Sequence, residues 1–328
     1  MRDLDSTNDQ LSPRILAERC ARAMACAPGS GPVSILYASI AAHEAATLRW
    51  ARRFGLTNEL SAHRLAHIGC GSFAAHTYAG KSRELVQLGA DLIAWLYLFD
   101  DVHGELGDEE AFAAAVSVAR GTASTLQGSP FMMALADICW RAGARAGVGW
   151  CDRFAAALEF FFDGRRRELP YRASRQVPGF LAYREVKQRS VGAAPVFALL
   201  QLDSPLTAQE AAGAALQALN IEAALLCAWV NDVFSFEKEY AAGDPLNVVQ
   251  VLAAEGQLSL TAAFDEVAAL YRRESAAFTS HAEEFLAAER SEAERRYLRS
   301  LMTWVRGNLA WTETSGRYSA TTQYGQAA

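Results

Sequence analysis

The stretch Leu92-Ile93-Ala94-Trp95-Leu96-Tyr97-Leu98-Phe99-Asp100-Asp101 carries the fold signal in its most concentrated form. Its apolar run has no period-2 alternation, so it reads as part of a helix buried on all sides, starting near Ser82 and stopping at Gly104 and Gly107. Two adjacent carboxylates at the end of such a helix are costly unless something cationic neutralises them. They also oppose the helix dipole. One reading is a helix C-terminus emerging into solvent. The other is a divalent-cation site, because Mg²⁺ takes hard oxygens and binds one or two carboxylates together with substrate phosphates. Helical spacing sets Asp101 and Glu105 about 40° apart on one face and turns Asp100 away. Gly104 as a helix stop makes Glu105 the least firmly placed member of this group.

Outward from this stretch the pattern is helix nearly everywhere. Segments rich in Ala, Leu, Glu and Arg alternate with short breaks at residues 27–32, Gly69-Cys70-Gly71, residues 127–130, Gly147-Val148-Gly149 and Val177-Pro178-Gly179. Capping boxes at Thr207…Glu210 and Ser291…Glu294 mark two helix starts. No linker or internal repeat divides the 328 residues, so the expectation is one all-α domain over 13–320 between polar tails at 1–12 and 321–328. Apolar residues make up 51% of the chain and charged ones 21%, with a net charge of −6, which gives no broad basic field for nucleic acid. The six cysteines are scattered without a CxxC pair and read as reduced thiols, not as zinc ligands or disulfides. The polar N-terminus is unlike a secretory signal. The most apolar stretch, 211–230, is interrupted by Gln217, Asn220 and Glu222, so no membrane span and a cytoplasmic protein are expected.

A second polar stripe lies in Trp229-Val230-Asn231-Asp232-Val233-Phe234-Ser235-Phe236-Glu237-Lys238-Glu239. Asn231, Ser235 and Glu239 fall at i, i+4 and i+8, drifting only about 80° around a helix over a length of roughly 12 Å. An amide carbonyl, a hydroxyl and a carboxylate are together a hard-oxygen set for one Mg²⁺. Lys238 projects within about 20° of Asn231. The competing reading is the wet side of an amphipathic helix, against which Val233, Phe234 and Phe236 fill the rest of the turn. Two such stripes facing each other in a helical bundle suggest a diphosphate held between them.

With both stripes identified, the sequence resembles the bacterial class I terpene synthases. Asp100-Asp101-Val102-His103-Gly104-Glu105 is similar to the family's aspartate-rich motif in its DDxxxE form, and residues 231–239 match NDxxSxxKE at every specified position. Trp304 to Trp311 followed by Arg317-Tyr318 is similar to the closing segment, and Trp50 to Leu56 and Gly243 to Val249 agree as well. The resemblance covers about residues 33–320. It implies a helical bundle around a deep apolar cavity, with three Mg²⁺ ions binding an isoprenoid diphosphate. On this resemblance Asp100, Asp101 and Glu105 serve one side of the metal cluster, and Asn231, Ser235 and Glu239 hold the third ion. Lys238, Arg317 and Tyr318 bond diphosphate oxygens. An antiparallel homodimer is the family expectation.

One departure stands out. The family places an arginine that senses the diphosphate four residues after a tyrosine, in a P-x-x-x-x-Y-x-x-x-R pattern. Here Pro178…Tyr183…Lys187 puts lysine there, keeping the charge but losing the planar fork. The chain has only three lysines, and Lys187 and Lys238 both fall at expected phosphate contacts. Arg184, one turn earlier, is the alternative source of a fork. Ser190, Val191 and Gly192 correspond to the helix break that follows the sensor. Tyr97, Phe73, Ala94 and Trp304 are cavity-wall candidates, each of them equally an ordinary core residue. His103 has no second histidine at ligand spacing and reads as a helix-end residue.

The implied reaction is ionisation of a linear isoprenoid diphosphate and cyclisation of the allylic cation. Farnesyl diphosphate is the first expectation, with the geranyl and geranylgeranyl diphosphates open. A chain-elongating prenyltransferase would require a second DDxxD in place of Asn231…Ser235. A non-catalytic isoprenoid-binding protein is the reading that Lys187 keeps open.

Overall fold

The computed structural model describes residues 12–29, 37–104, 106–123, 128–147 and 149–315. Among these residues there is no strand, and the all-α expectation holds. In chain order the helices are α1 (Pro13–Ala25), α2 (Tyr37–Arg53), α3 (Glu59–Ile68), α4 (Cys70–Thr77) and α5 (Arg83–Phe99). A π turn over Asp100–Gly104 continues α5. Then come α6 (Glu109–Arg120), α7 (Pro130–Gly143), α8 (Trp150–Ser174), α9 (Phe180–Ser190) and α10 (Ala193–Leu200). The remainder are α11 (Ala208–Ala211), α12 (Ala214–Ala242), α13 (Val248–Gly256), α14 (Leu260–Ala287) and α15 (Glu292–Thr314).

Local chemistry explains the boundaries. Ser82 opens α5 by accepting a hydrogen bond from the backbone N of Leu85, and every residue from Leu85 to Phe99 except Gln87 and Tyr97 is buried. Both capping boxes read from the sequence are present, at the starts of α11 and α15. A third, Asn58 with Ser61, starts α3. Between α9 and α10 the chain turns through Gly192 at φ 77°, a left-handed conformation that an L side chain adopts only at a cost.

Each neighbour in the series α5, α4, α15, α12, α9, α8 packs on the next. The short α10, buried from Ala193 through Leu200 apart from Ala194, touches α5, α8, α9, α12 and α15. This ring encloses the cavity described below. By length and composition alone α12 could cross a bilayer, although it contains the Gln217, Asn220 and Glu222 interruptions read from the sequence. Yet 56% of its most apolar window is buried inside the fold, where it packs against α1, α14 and α15. Its apolarity is that of a core helix, with Ala223 to Val230 buried without a break.

All six cysteines are free thiols. His103 accepts its expected place at a helix end, with Nδ1 2.8 Å from Asp108 Oδ2 and its ring against Phe99 and Phe131.

Candidate active site

The ring of helices encloses a cavity of about 530 Å³, within the range of small-molecule sites. The ends of α5 and α12 bring Asp100, Asp101, Asn231, Lys238 and Glu239 to it, and α9 adds Lys187. Its apolar wall includes Phe73 from α4, Tyr97 from α5, Phe161 from α8, and Trp304 and Trp311 from α15. Phe73 stacks on Trp311 with centroids 3.9 Å apart and tilts against Trp304 at 5.5 Å. The cavity therefore joins a charged rim to an aromatic pocket.

The first motif departs from the expected placement, and a π turn starts within it. Asp100, expected to turn away, lies in α-helical phase with Ile93, Leu96 and Tyr97 on the cavity face, and Asp101, the next residue in the π turn, lines the cavity beside it. Asp100 Oδ1 lies 2.7 Å from Arg165 Nε. The pair is close but not aligned as a hydrogen bond, leaving both atoms buried without a hydrogen-bond partner. Burial pushes the Asp100 carboxyl up to about 6, with Arg165 pulling it down and Glu168 raising it further. Asp101 is more open and ion-pairs with Arg64 Nη2 at 3.4 Å.

Arg165 belongs to an ionic chain along α8 that sequence reading missed. Its Nη1 is 2.5 Å from Glu168 Oε2. The same oxygen meets Arg172 Nη2 at 3.0 Å, and Arg172 Nε reaches Asp244 Oδ2 at 3.2 Å. Phe161, Arg165, Glu168 and Arg172 all line the cavity at the i, i+4, i+7, i+11 spacing of one helix face. That spacing is the signal that was available: three charges in phase with a buried phenylalanine.

The second motif sits on α12. Asn231 and Glu239 line the cavity, whereas Ser235 between them is buried and donates its hydroxyl to the Asn231 carbonyl at 2.7 Å. Asn247, also buried, donates through Nδ2 to Glu239 Oε2 at 2.9 Å and to the Asp232 carbonyl at 2.7 Å. Asp232 is wholly buried and accepts from Lys187 Nζ at 2.9 Å, from the Tyr183 hydroxyl at 2.6 Å and from the Val248 backbone N at 2.7 Å. Burial pushes Asp232 up to about 6 while Lys187 pulls it down. Burial opposes the Lys187 charge too, but Asp232, with Glu239 and Glu168, holds its pKa above the ordinary lysine value.

Arg184 does not line the cavity: its Nη2 lies 3.6 Å from Glu274 Oε2 on α14, and its guanidinium stands over the Phe180 and Trp229 rings. Ser190, Val191 and Gly192 all line the cavity at the α9–α10 turn. Ala94 does not, being buried in the core. The face that α5 turns to the cavity runs Ile93, Leu96, Tyr97, Asp100, and Ala94 lies about 100° around from Ile93. Glu105, Arg317 and Tyr318 lie outside the described residues.

The donor chemistry fits a divalent cation. Asp100 and Asp101 bring two adjacent carboxylates to the cavity, Asp100 with one oxygen ion-paired to Arg165, and Asn231 and Glu239 bring further hard oxygens. Among the described residues no three His, Cys, Asp or Glu side chains converge into a preformed metal site. Amide, hydroxyl and substrate oxygens must complete the coordination, as they do for Mg²⁺ in phosphate-binding sites.

Comparison with known proteins agrees with this geometry. The family model described as "Terpene synthase family 2, C-terminal metal binding" matches residues 91–276. The chain is similar to the (+)-T-muurolol synthase ((2E,6E)-farnesyl diphosphate cyclizing) of Roseiflexus castenholzii, with 30% identity covering 92% of this chain and 94% of that one. It is similar also to the germacrene A synthase of Nostoc punctiforme, with 27% identity over 83% and 88% of the two chains. In fold it matches the linalool/nerolidol synthase of Streptomyces clavuligerus with a TM-score of 0.76 and 23% identity, covering 86% and 98%. The chain thus belongs to the bacterial class I terpene synthases, divalent-metal enzymes that form terpenes from isoprenoid diphosphates.

Proposed function

We propose that this enzyme is a Mg²⁺-dependent sesquiterpene cyclase, a carbon–oxygen lyase acting on a phosphate ester. It ionises farnesyl diphosphate, closes the allylic cation into a ring and releases diphosphate. The observation that carries the reading is the meeting of two oxygen sets, Asp100 with Asp101 and Asn231 with Glu239, on the rim of one aromatic cavity. The choice of farnesyl diphosphate is supported by the name of the Roseiflexus relative, which cyclises that substrate.

Asp100, Asp101, Asn231, Ser235 and Glu239, with Glu105, would hold three ions. Bound Mg²⁺ supplies the neutralising charge that lets the diphosphate leave. Lys187 and Lys238 face the leaving group from the chain's own side, and Arg317 with Tyr318 would close over it. Lys187 is favoured over Arg184 as the sensor because it lines the cavity and Arg184 does not. No side chain needs to attack: fixed charges stabilise the anion as it forms. Phe73, Tyr97 and Trp304 exclude water and offer π faces to the cation, worth roughly 0.5–2 kcal/mol each.

The test is release of inorganic diphosphate from the geranyl, farnesyl and geranylgeranyl substrates, each supplied alone with Mg²⁺ or with EDTA. The reading expects metal-dependent release, fastest with the farnesyl ester. Release from none of the three by the folded protein would refute it.

A further inference from the structure

The end of α8 places at the cavity an arginine that neither oxygen set requires. The helix stops at Ser174, and Arg175 follows as its C-cap at φ 53° and ψ 26°. That is left-handed backbone, which glycine adopts freely and an L side chain only at a cost. Among the described residues just one other non-glycine residue, Gln257, has a positive φ. Such strained positions cluster at ligand-binding sites. The side chain of Arg175 is exposed and lines the cavity. A Cβ at Gly243, the C-cap of α12, would stand 3.8 Å from its Cζ and Nη1 and 3.9 Å from its Nε. These near-equal distances set the flat face of the guanidinium beside that glycine, with the N–H edge directed past it. The two helix ends are joined nearby, where Arg172 Nε of α8 reaches Asp244 Oδ2 at 3.2 Å.

The other cations of the wall are engaged. Arg165 and Arg172 face Asp100, Glu168 and Asp244, and Lys187 donates to Asp232. Arg175 makes no ion pair or hydrogen bond with any described residue. An exposed guanidinium with uncommitted donors is suited to grip two phosphate oxygens at once. Lys187 lacks that planar fork, and Arg184, the alternative read from the sequence, does not line the cavity. Resting on the cyclase reading, we infer that Arg175 binds the diphosphate group of the substrate and supplies the fork that the lysine at the sensor position does not. It holds the diphosphate in place and stabilises its growing charge as the C–O bond breaks, and no covalent step passes through it. The competing role is a cation that complements the C-terminal dipole of α12, which would act on stability and leave diphosphate affinity untouched.

The experiment uses the full chain, Mg²⁺ and whichever C10, C15 or C20 diphosphate it turns over. It reads inhibition by inorganic diphosphate, the substrate KM and the thermal midpoint. Arg175→Gln removes the charge, and its inhibition constant should rise about tenfold, with KM rising too. Arg175→Lys keeps the charge without the fork and should still lie about threefold above the wild type. Arg175→Gly suits the left-handed turn, so it should lose as much affinity as the glutamine variant while melting no lower than the wild type. An unchanged inhibition constant in any of the three variants would overturn the proposal and leave the cyclase reading intact. So would a wild type that turns over substrate without inhibition by diphosphate. Absence of any metal-dependent diphosphate release from the wild type would instead overturn the cyclase reading, and this inference with it.

Discussion

Lys187 Nζ on α9 lies 2.9 Å from Asp232 Oδ1 on α12, and the other oxygen of Asp232 is held by Tyr183 and by the backbone N of Val248. The cation expected to meet the diphosphate is therefore tied to the residue next to Asn231. Three helices, α9, α12 and α13, meet at this buried carboxylate. Movement of Lys187 toward a bound anion must act on the helix that carries the second oxygen stripe.

Lys187→Met should leave Asp232 as an uncompensated buried charge and cost about 3–5 kcal/mol of stability, measurable by urea denaturation. Lys187→Arg keeps the charge and supplies a fork, so it should fold and turn over substrate far better than the methionine variant. Equal stability of the methionine variant and the wild type would show that the pair contributes nothing.

Asp100 sets a pH dependence for the metal. Its carboxyl is held near 6 in the metal-free protein, chiefly by burial. Below that pH a cation must displace a proton, so apparent metal affinity should fall about tenfold per pH unit and level off above it. A Mn²⁺ titration followed by electron paramagnetic resonance between pH 5 and 8 would test this. Affinity flat across that range would contradict it.

Asn247 holds Glu239 through a 2.9 Å hydrogen bond. Asn247→Ala frees that carboxylate to rotate, and the Mg²⁺ concentration for half-maximal rate should rise by about 10–100-fold. The substrate KM at saturating metal should change much less.

Gly192→Ala forces an L side chain into the left-handed turn at φ 77°. The expected cost is roughly 1–2 kcal/mol in stability, with slower turnover because the α9–α10 turn borders the cavity.

Much of this site was legible because its signals are helical phase on regular helices. Asn231 and Glu239 share the cavity because α12 runs as an unbroken α-helix from Ala214 to Ala242. Phase reading erred at the first motif because it took Asp101 as the reference: Asp100 continues the Ile93, Leu96, Tyr97 face of α5 in regular helical phase, and the π turn begins only there. The same reading failed by a fraction of a turn at Ala94, where Ile93 and Leu96 line the wall instead. The run Arg165-Arg166-Arg167-Glu168 reads as a solvated surface, and two of its members are on one. Arg166 pairs with Glu109 and Arg167 with Asp163 near the exterior, while Arg165 and Glu168 turn inward. Composition alone does not separate them. Asn247 fell within the Gly243 to Val249 stretch that resembles the family, but its contact with Glu239 was not readable there, since it depends on α13 folding back against α12.

The most direct measurement is gas chromatography–mass spectrometry of solvent extracts after incubation of the protein with Mg²⁺ and farnesyl diphosphate. The account predicts a cyclic C15 terpene that disappears with EDTA and with Asp100→Ala. A folded protein that yields only unreacted farnesyl diphosphate, or the same product with the metal removed, would contradict it.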